Sequence, residues 1–292
     1  MTTKRVLVIL INYNSTDHTV ECLGSIFKNK TRDVDVIIID NASILTEREK
    51  LRKIDTGECK IVYLDDNLGF SGGNNVGIKY ALDNNYDGVL LLNNDTIVAG
   101  NFFWELNKSI NEHKESILTF QIRNYYKSNE ILYDGGKVVF WKGAVKILGV
   151  GKTATNEKKD KKITFAHGCC MYIPREIIIN VGFMPEDYFL YFEDTAYSVE
   201  AIKKGYNIWY SNKTNIWHKE CVSTGLFSNN YQYYFCRNRL LFTKKYVPWY
   251  LKPIAYTYTF AFAMRKIIER KFIVANCHEA LRDFVKGKVG KK

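Results

Sequence analysis

Apolar residues in the first hundred positions fall into short unbroken runs, each stopped by small polar side chains. Val6-Leu-Val-Ile-Leu-Ile11 ends at Asn12-Tyr-Asn14, Val36-Ile-Ile-Ile39 at Asp40-Asn41, and Val89-Leu-Leu-Leu92 at Asn93-Asn-Asp95. Runs without alternation read as strands buried on both faces. The pattern predicts strands at Val6–Tyr13, Asp35–Asp40, Lys60–Leu64 and Gly88–Asn93. Between them lie helices: one capped by Thr16 with Val20, Leu23, Ile26 and Phe27 on one face, a charged one over Leu45–Ile54, and one entered from a glycine-rich loop and running to about Asp83. Strand and helix alternating in this way predict an α/β fold, a mainly parallel sheet with right-handed crossovers and flanking helices.

After residue 117 the pattern changes. Short β-like runs (Ile117–Arg123, Glu130–Trp141) are broken by Gly135-Gly136, Gly149 and Gly151, and followed by a charged loop, Glu157–Lys162. Phe165–Ile173 predicts a strand interrupted at His167-Gly168, and Pro174–Val181 a helix with proline in its first turn. Thr195–Lys204 predicts a helix ended by Gly205; Ile208–Tyr210 and Asn215–His218 predict two short extended pieces. The remainder, from about Ser228, reads as helical.

Charge divides the chain more sharply than hydropathy does. The formal net charge is +11, and residues 237–292 carry fourteen Lys or Arg against three acids, so residues 1–236 are neutral in sum. Two regions follow: 1–227 as the globular α/β part and 228–292 as a helical, basic and aromatic extension. Residues 246–264 hold seven aromatics, with Lys244-Lys245 before them and Arg265-Lys266 after. Pro248, Lys252 and Pro253 break this stretch, leaving too little to span a bilayer. Aromatics flanked by cations suit an anionic membrane surface, and packing on the globular part or on a second subunit is the alternative. Nucleic-acid binding has no supporting motif. Seven scattered cysteines without a C-x-x-C pair predict a reduced, cytoplasmic chain without disulfide or zinc framework.

Three polar strand ends on one sheet edge form the candidate site, because ligands of open α/β sheets lie outside the carboxyl ends of the strands. These are Asn12-Tyr13-Asn14, Asp40-Asn41 and Asn93-Asn94-Asp95. Asp40 can accept from the N3–H of a pyrimidine and Tyr13 can stack on its face. Turn chemistry accounts for any one of these ends alone. The loop Asn67–Gly77, with Gly69, Gly72 and Asn75, offers backbone N–H groups at a helix start for phosphate, although it fits neither a dinucleotide fingerprint nor a P-loop. Glu193-Asp194 opens a helix after the aromatic run 188–192; it reads as a placed general base or as a helix cap. His218 can join Asp95 in holding Mg2+ or Mn2+.

Taken in order, these motifs resemble the family-2 glycosyltransferases of the GT-A fold, in the rhamnosyltransferase-like branch. The resemblance covers about residues 4–245 and rests on Ile-Leu-Ile-Asn-Tyr-Asn, Ile-Ile-Ile-Asp-Asn-Ala-Ser, Asn-Leu-Gly-Phe-Ser-Gly-Gly-Asn-Asn-Val-Gly, Leu-Leu-Leu-Asn-Asn-Asp-Thr, Tyr-Phe-Leu-Tyr-Phe-Glu-Asp, Ile-Trp-His and Tyr-Tyr-Phe-Cys-Arg-Asn-Arg. It implies that Tyr13 and Asp40 hold the nucleotide base, that Asn94 lies near the ribose, and that Asp95 binds a divalent metal. Asn93 stands where many relatives carry the first acid of an Asp-x-Asp motif, so charge for the metal rests on Asp95, helped by His218. Asp194 matches the inverting general base. The implied function is inverting transfer from a TDP-rhamnose or UDP-hexose type donor to a hydroxyl of a glycan or lipid-linked acceptor in cell-surface polysaccharide synthesis. The implied place is the inner face of the cell membrane, with a homodimer open. A sugar-nucleotide pyrophosphorylase would need a basic glycine-rich loop after the first strand, where this chain has Asn12–Asp17. A non-catalytic sugar-nucleotide or lipid-binding partner would be expected to lack Asp95 or Asp194.

Overall fold

The computed structural model describes residues 3–54, 57–155, 157–219 and 227–292. Its first half alternates as the pattern predicts: β1 (Val6–Asn12), α1 (Thr16–Asn29), β2 (Val34–Asp40), α2 (Leu45–Lys53), β3 (Lys60–Tyr63), α3 (Gly69–Asp83) and β4 (Gly88–Asn93). Then follow β5 (Thr96–Val98), α4 (Phe102–Glu112), β6 (Ser116–Asn124), β7 (Ile131–Tyr133), β8 (Gly136–Val139), β9 (Ala144–Ile147), β10 (Asp160–Ile163) and β11 (Cys170–Pro174). The chain closes with α5 (Arg175–Val181), α6 (Glu193–Lys203), β12 (Asn207–His218), α7 (Asn229–Tyr246), α8 (Lys252–Ile268) and α9 (Val274–Val285).

Among the described residues the main sheet has the order β10-β12-β6-β11-β4-β1-β2-β3, with β5 on β12 and β7 on β6. β1 lies between β2 and β4, parallel to both. Strand order therefore reverses between β1 and β4, which opens a crevice at their carboxyl ends. β11 enters antiparallel between β4 and β6. Leu90 and Leu91 of β4 are fully buried, each worth about 1.5–3 kcal/mol relative to exposure. α3 can lie close on this core because Gly77 has no side chain: a Cβ there would come within 2.7 Å of Ile9 Cγ2.

Three sequence expectations change. Ile208–Tyr210 and Asn215–His218 are one strand, β12, with an irregularity between Ser211 and Asn215 that conceals its continuity. The strand expected at Phe165–Ile173 forms only from Cys170, leaving His167-Gly168-Cys169 as a loop. Pro253 does not break the aromatic stretch; it stands in the first turn of α8, where its missing N–H costs nothing.

The C-terminal helices are seated on the sheet domain. Phe242, Tyr246 and Ala255 share a buried cluster with Tyr188, Phe192 and Val199, and Arg239 donates to the Lys142 carbonyl at 2.7 Å. Cys236 of α7 and Cys277 of α9 face each other with sulfurs 3.9 Å apart. None of the described cysteines forms a disulfide, and Cys221 lies outside the described residues. Among the described residues no helix is long and apolar enough to cross a membrane.

Candidate functional site

The register of β1 fixes which polar ends meet. Asn12 pairs with Asp40 on one side, and Ile11 with Asn93 on the other. Asn12 donates to Asp40 Oδ1 at 3.0 Å and accepts from Thr19 Oγ1 at 2.8 Å. Asp40 Oδ2 accepts from Ser43 N and from Arg48 Nε at 2.8 Å, and the side chain is fully buried. Asn14 takes a left-handed conformation and accepts from Ile44 N at 2.8 Å, so the two strand-to-helix turns lock together. Tyr13, beside them, leaves 40% of its surface open.

Asn94 is buried and donates to Ser15 Oγ at 2.7 Å and Thr19 Oγ1 at 2.8 Å, which ties the end of β4 to the start of α1. Asn41 reaches across to the glycine-rich loop. Its amide donates to Asn67 Oδ1 and the Gly69 carbonyl, and its oxygen accepts from Leu68 N at 2.9 Å. Gly72 packs against Leu68 within the first turn of α3. Asn75 is not brought to the crevice contacts: its amide donates to the Met184 carbonyl and Glu186 and accepts from Met184 N, holding the 184–186 turn.

His218 is delivered by β12, whose end pairs with β5 so that His218 stands opposite Thr96. His218 Nε2 lies 3.1 Å from Asp95 Oδ1 and 3.5 Å from the Asn93 amide. That Asp95 oxygen is buried and, among the described residues, otherwise accepts no hydrogen bond. Burial works against charge on Asp95, but His218 more than offsets it and holds the carboxyl below its ordinary value. Burial likewise opposes charge on His218, and Cys169 and Asp95 together outweigh it, raising its pKa well above the usual 6.5. A buried carboxylate oxygen and an amide this close suit Mg2+ or Mn2+, with water or phosphate oxygens completing the shell, and His218 can join them only after giving up the proton that Cys169 and Asp95 stabilise.

A second group, Glu112, His113 and Asp160, lies farther back along β12, where Asp160 stands opposite Ser211. Lys213 Nζ already stands 2.7 Å from Asp160 and 3.0 Å from Glu112, so this cluster has its cation. Ser211 and His218 stand opposite Phe120 and Asn124 of β6, so at about 3.3 Å per residue the group is about 13 Å from His218 along the sheet.

Glu193 and Asp194 lie in the first turn of α6 rather than ahead of it. Asp194 accepts from Gly168 N at 3.1 Å through Oδ2, and from Thr195 N at 2.6 Å through Oδ1. Burial raises its pKa despite those bonds. Glu193 is more deeply buried, its Oε2 has no partner among the described residues, and burial together with Asp194 pushes it well above its ordinary value. The chain enters α6 through strained backbone, since Phe189, Tyr191 and Phe192 all have positive φ. The carbonyls of Tyr188, Leu190 and Tyr191 point at one side-chain amide, that of Asn238 on α7, at 2.6, 2.7 and 2.9 Å.

Sequence reasoning missed the loop His167–Cys169. Gly168 N holds Asp194, and the Cys169 carbonyl accepts from Asn93 N at 3.0 Å, so one tripeptide touches both halves of the site. Burial lowers His167 to about 4, helped by the charge of His218, and keeps its ring neutral. The only signal in the sequence is a His-Gly interruption in an apolar run.

A family model described as Glycosyl transferase family 2 matches residues 7–182. The chain is 28% identical over 256 residues to the low-salt glycan biosynthesis hexosyltransferase Agl10 of Haloferax volcanii, covering 86% of this chain and 79% of that one. It is 21% identical over 261 residues to the dTDP-rhamnosyl transferase RfbF of Shigella flexneri, covering 83% and 81%. Among solved structures, GalNAc-T7 with UDP, GalNAc and Mn2+ aligns with a TM-score of 0.63 at 15% identity, over 88% of this chain and 55% of that one. That likeness speaks for the fold.

Proposed function

Because the chain belongs to glycosyltransferase family 2 and is therefore a nucleotide-sugar-dependent transferase, we propose that the crevice between β1 and β4 is where inverting transfer takes place. The donor in this reading is of the TDP-rhamnose or UDP-hexose type. The acceptor is a hydroxyl of a glycan or lipid-linked saccharide, in the synthesis of a cell-surface polysaccharide. The observation that carries it is the tripeptide His167–Cys169, which joins Asp194 to the Asn93–Asp95 strand end in two hydrogen bonds. A base and a diphosphate-side carboxylate need such closeness, because the acceptor hydroxyl and the leaving group flank one anomeric carbon.

Each side chain then has a task. Tyr13 offers its exposed ring to the base, and Asp40, held by Asn12 and Arg48, sets the polar floor beneath it. Asn94 and the α3 loop frame the ribose and diphosphate. Asp95 and His218, with Asn93 as a neutral neighbour, hold a divalent cation, which when bound neutralises the leaving diphosphate. Asp194 accepts the proton of the attacking hydroxyl, and its raised pKa makes it a better base than an ordinary aspartate. Glu193, whose pKa burial and the neighbouring Asp194 push well above its ordinary value, stands behind it. A lipid-linked acceptor would hold the enzyme at the inner face of the membrane.

A thermal-shift screen of UDP, TDP and GDP sugars with and without Mn2+ tests the reading. One donor should raise the melting temperature, more so with Mn2+. No response to any nucleotide sugar would overturn it.

A further inference from the structure

α8 carries an apolar stripe on its outward side. Ile254, Thr257, Ala261, Met264 and Ile268 follow one another at three- and four-residue steps, and all five are exposed. Ile268 leaves 77% of its surface open, Ile254 51% and Met264 50%. The opposite face buries Ala255 and Thr259, whose hydroxyl is spent on the Ala255 carbonyl at 2.8 Å. Phe262 and Ile267 pack on the body as well, so the helix is apolar on both sides, whereas one docked only to its own chain would turn a polar face outward. Phe260 widens the stripe, and Trp249, 81% exposed, stands in the turn before the helix.

We infer that this face of α8 docks on the surface of an anionic lipid bilayer. For its purpose the inference rests on the proposed lipid-linked acceptor; its physics rests on apolar exposure and charge. The acids nearby are already committed. Glu269 is paired with Arg265, Lys266 and Lys271, Asp283 with Arg282 and Lys288, and Glu279 with Arg282 and Lys292. Arg237 and Arg239 are buried and Lys245 faces Asp187, but Lys244, Arg265, Arg270, Lys271, Lys286 and Lys291 are all exposed, so a net positive surface is left to solvent or to a partner. Two such surfaces brought together would repel, which disfavours a second copy of this chain as the occupant. An anionic leaflet attracts the cations and accepts the apolar stripe at the headgroup boundary, without requiring a span.

The full-length protein should sediment with equimolar phosphatidylglycerol–phosphatidylcholine vesicles at low salt, much less at high salt, and not with pure phosphatidylcholine. The double variant Met264→Glu/Ile268→Glu should lower the partition coefficient roughly ten-fold or more, while binding of a nucleotide-sugar donor is unchanged. If that variant is poorly folded by circular dichroism, Arg265→Gln/Lys271→Gln should still weaken low-salt sedimentation several-fold. Protein left in the supernatant with anionic vesicles overturns the inference, and so does a dimer in light scattering that Met264→Glu/Ile268→Glu dissolves. Donor binding followed in parallel separates the readings: its loss with intact sedimentation counts against the proposed reaction and leaves the surface standing.

Discussion

The carbonyl of Phe189 fills the space in which a Cβ on residue 69 would stand. It also accepts the Phe70 amide at 2.7 Å, and the Phe189 ring would come within 2.6 Å of the same Cβ. Gly69 has φ +74°, so the glycine is required twice, by its backbone and by its neighbour. Gly69→Ala should therefore destabilise the fold by on the order of 1–3 kcal/mol and lower turnover. Urea denaturation gives the first quantity. An unchanged midpoint with normal turnover would mean that the 188–192 segment is not braced against α3.

The same segment hangs from Asn238 on its other side. Three carbonyls facing one side chain call for an NH2 group, and Asn238→Ala leaves them unpaired in a buried place, at a cost of about 1–3 kcal/mol. Asn238→Asp turns a carboxylate oxygen toward the carbonyls and should be worse. In both variants kcat should fall by more than donor KM rises, because the segment positions Asp194 directly and reaches the α3 loop only through Phe189. A loss confined to donor KM would contradict this.

Asp194→Asn should keep donor binding and lose turnover roughly a hundred- to ten-thousand-fold. In the wild type the acid limb of the kcat profile should lie above the ordinary aspartate value of 3.8, since burial raises this carboxyl. Near-normal turnover in the variant would remove Asp194 as the base.

Glu193 gives a prediction about stability. Its folded pKa is raised, so the folded chain holds this proton more tightly than the unfolded one. The resulting stabilisation is complete below the ordinary value of 4.5 and is lost as pH rises toward the folded value. Glu193→Gln removes that loss. Its melting temperature should match the wild type at about pH 4 and exceed it increasingly toward about pH 8. A constant difference across that range would show that the wild-type carboxyl ionises freely.

Asp95→Ala removes the one carboxylate at the end of β4. Calorimetric titration with Mn2+ should show affinity reduced at least ten-fold, and the donor-induced thermal shift should lose its dependence on the metal. Equal Mn2+ affinity in wild type and variant would place the cation elsewhere.

The half of the fold built from local alternation was legible in the sequence. β1, β2 and β4 declare themselves by apolar runs, and their polar stops converge because parallel register leaves no other arrangement. What pairing alone decides was not legible. Nothing near Cys170 says that β11 will run antiparallel between β4 and β6, so His167 and Gly168 looked like a flaw in a strand. Asn75 belongs to a glycine-rich stretch that reads as a phosphate loop, yet it stands within α3 and serves the 184–186 turn, a contact more than a hundred residues away in sequence. Asn238 was visible only as part of a motif, because three converging carbonyls are a property of backbone conformation.

The late arrival of β11 also governs how the protein is made. As the chain leaves the ribosome, β4 can pair with β1 at once, but its other edge must wait for Cys170–Pro174. Throughout that interval the edge of Val89–Leu92 stays open, an apolar template for any extended segment nearby. Productive synthesis then depends on shielding that edge, and slow decoding ahead of residue 170 would cost soluble yield even though the finished enzyme is identical.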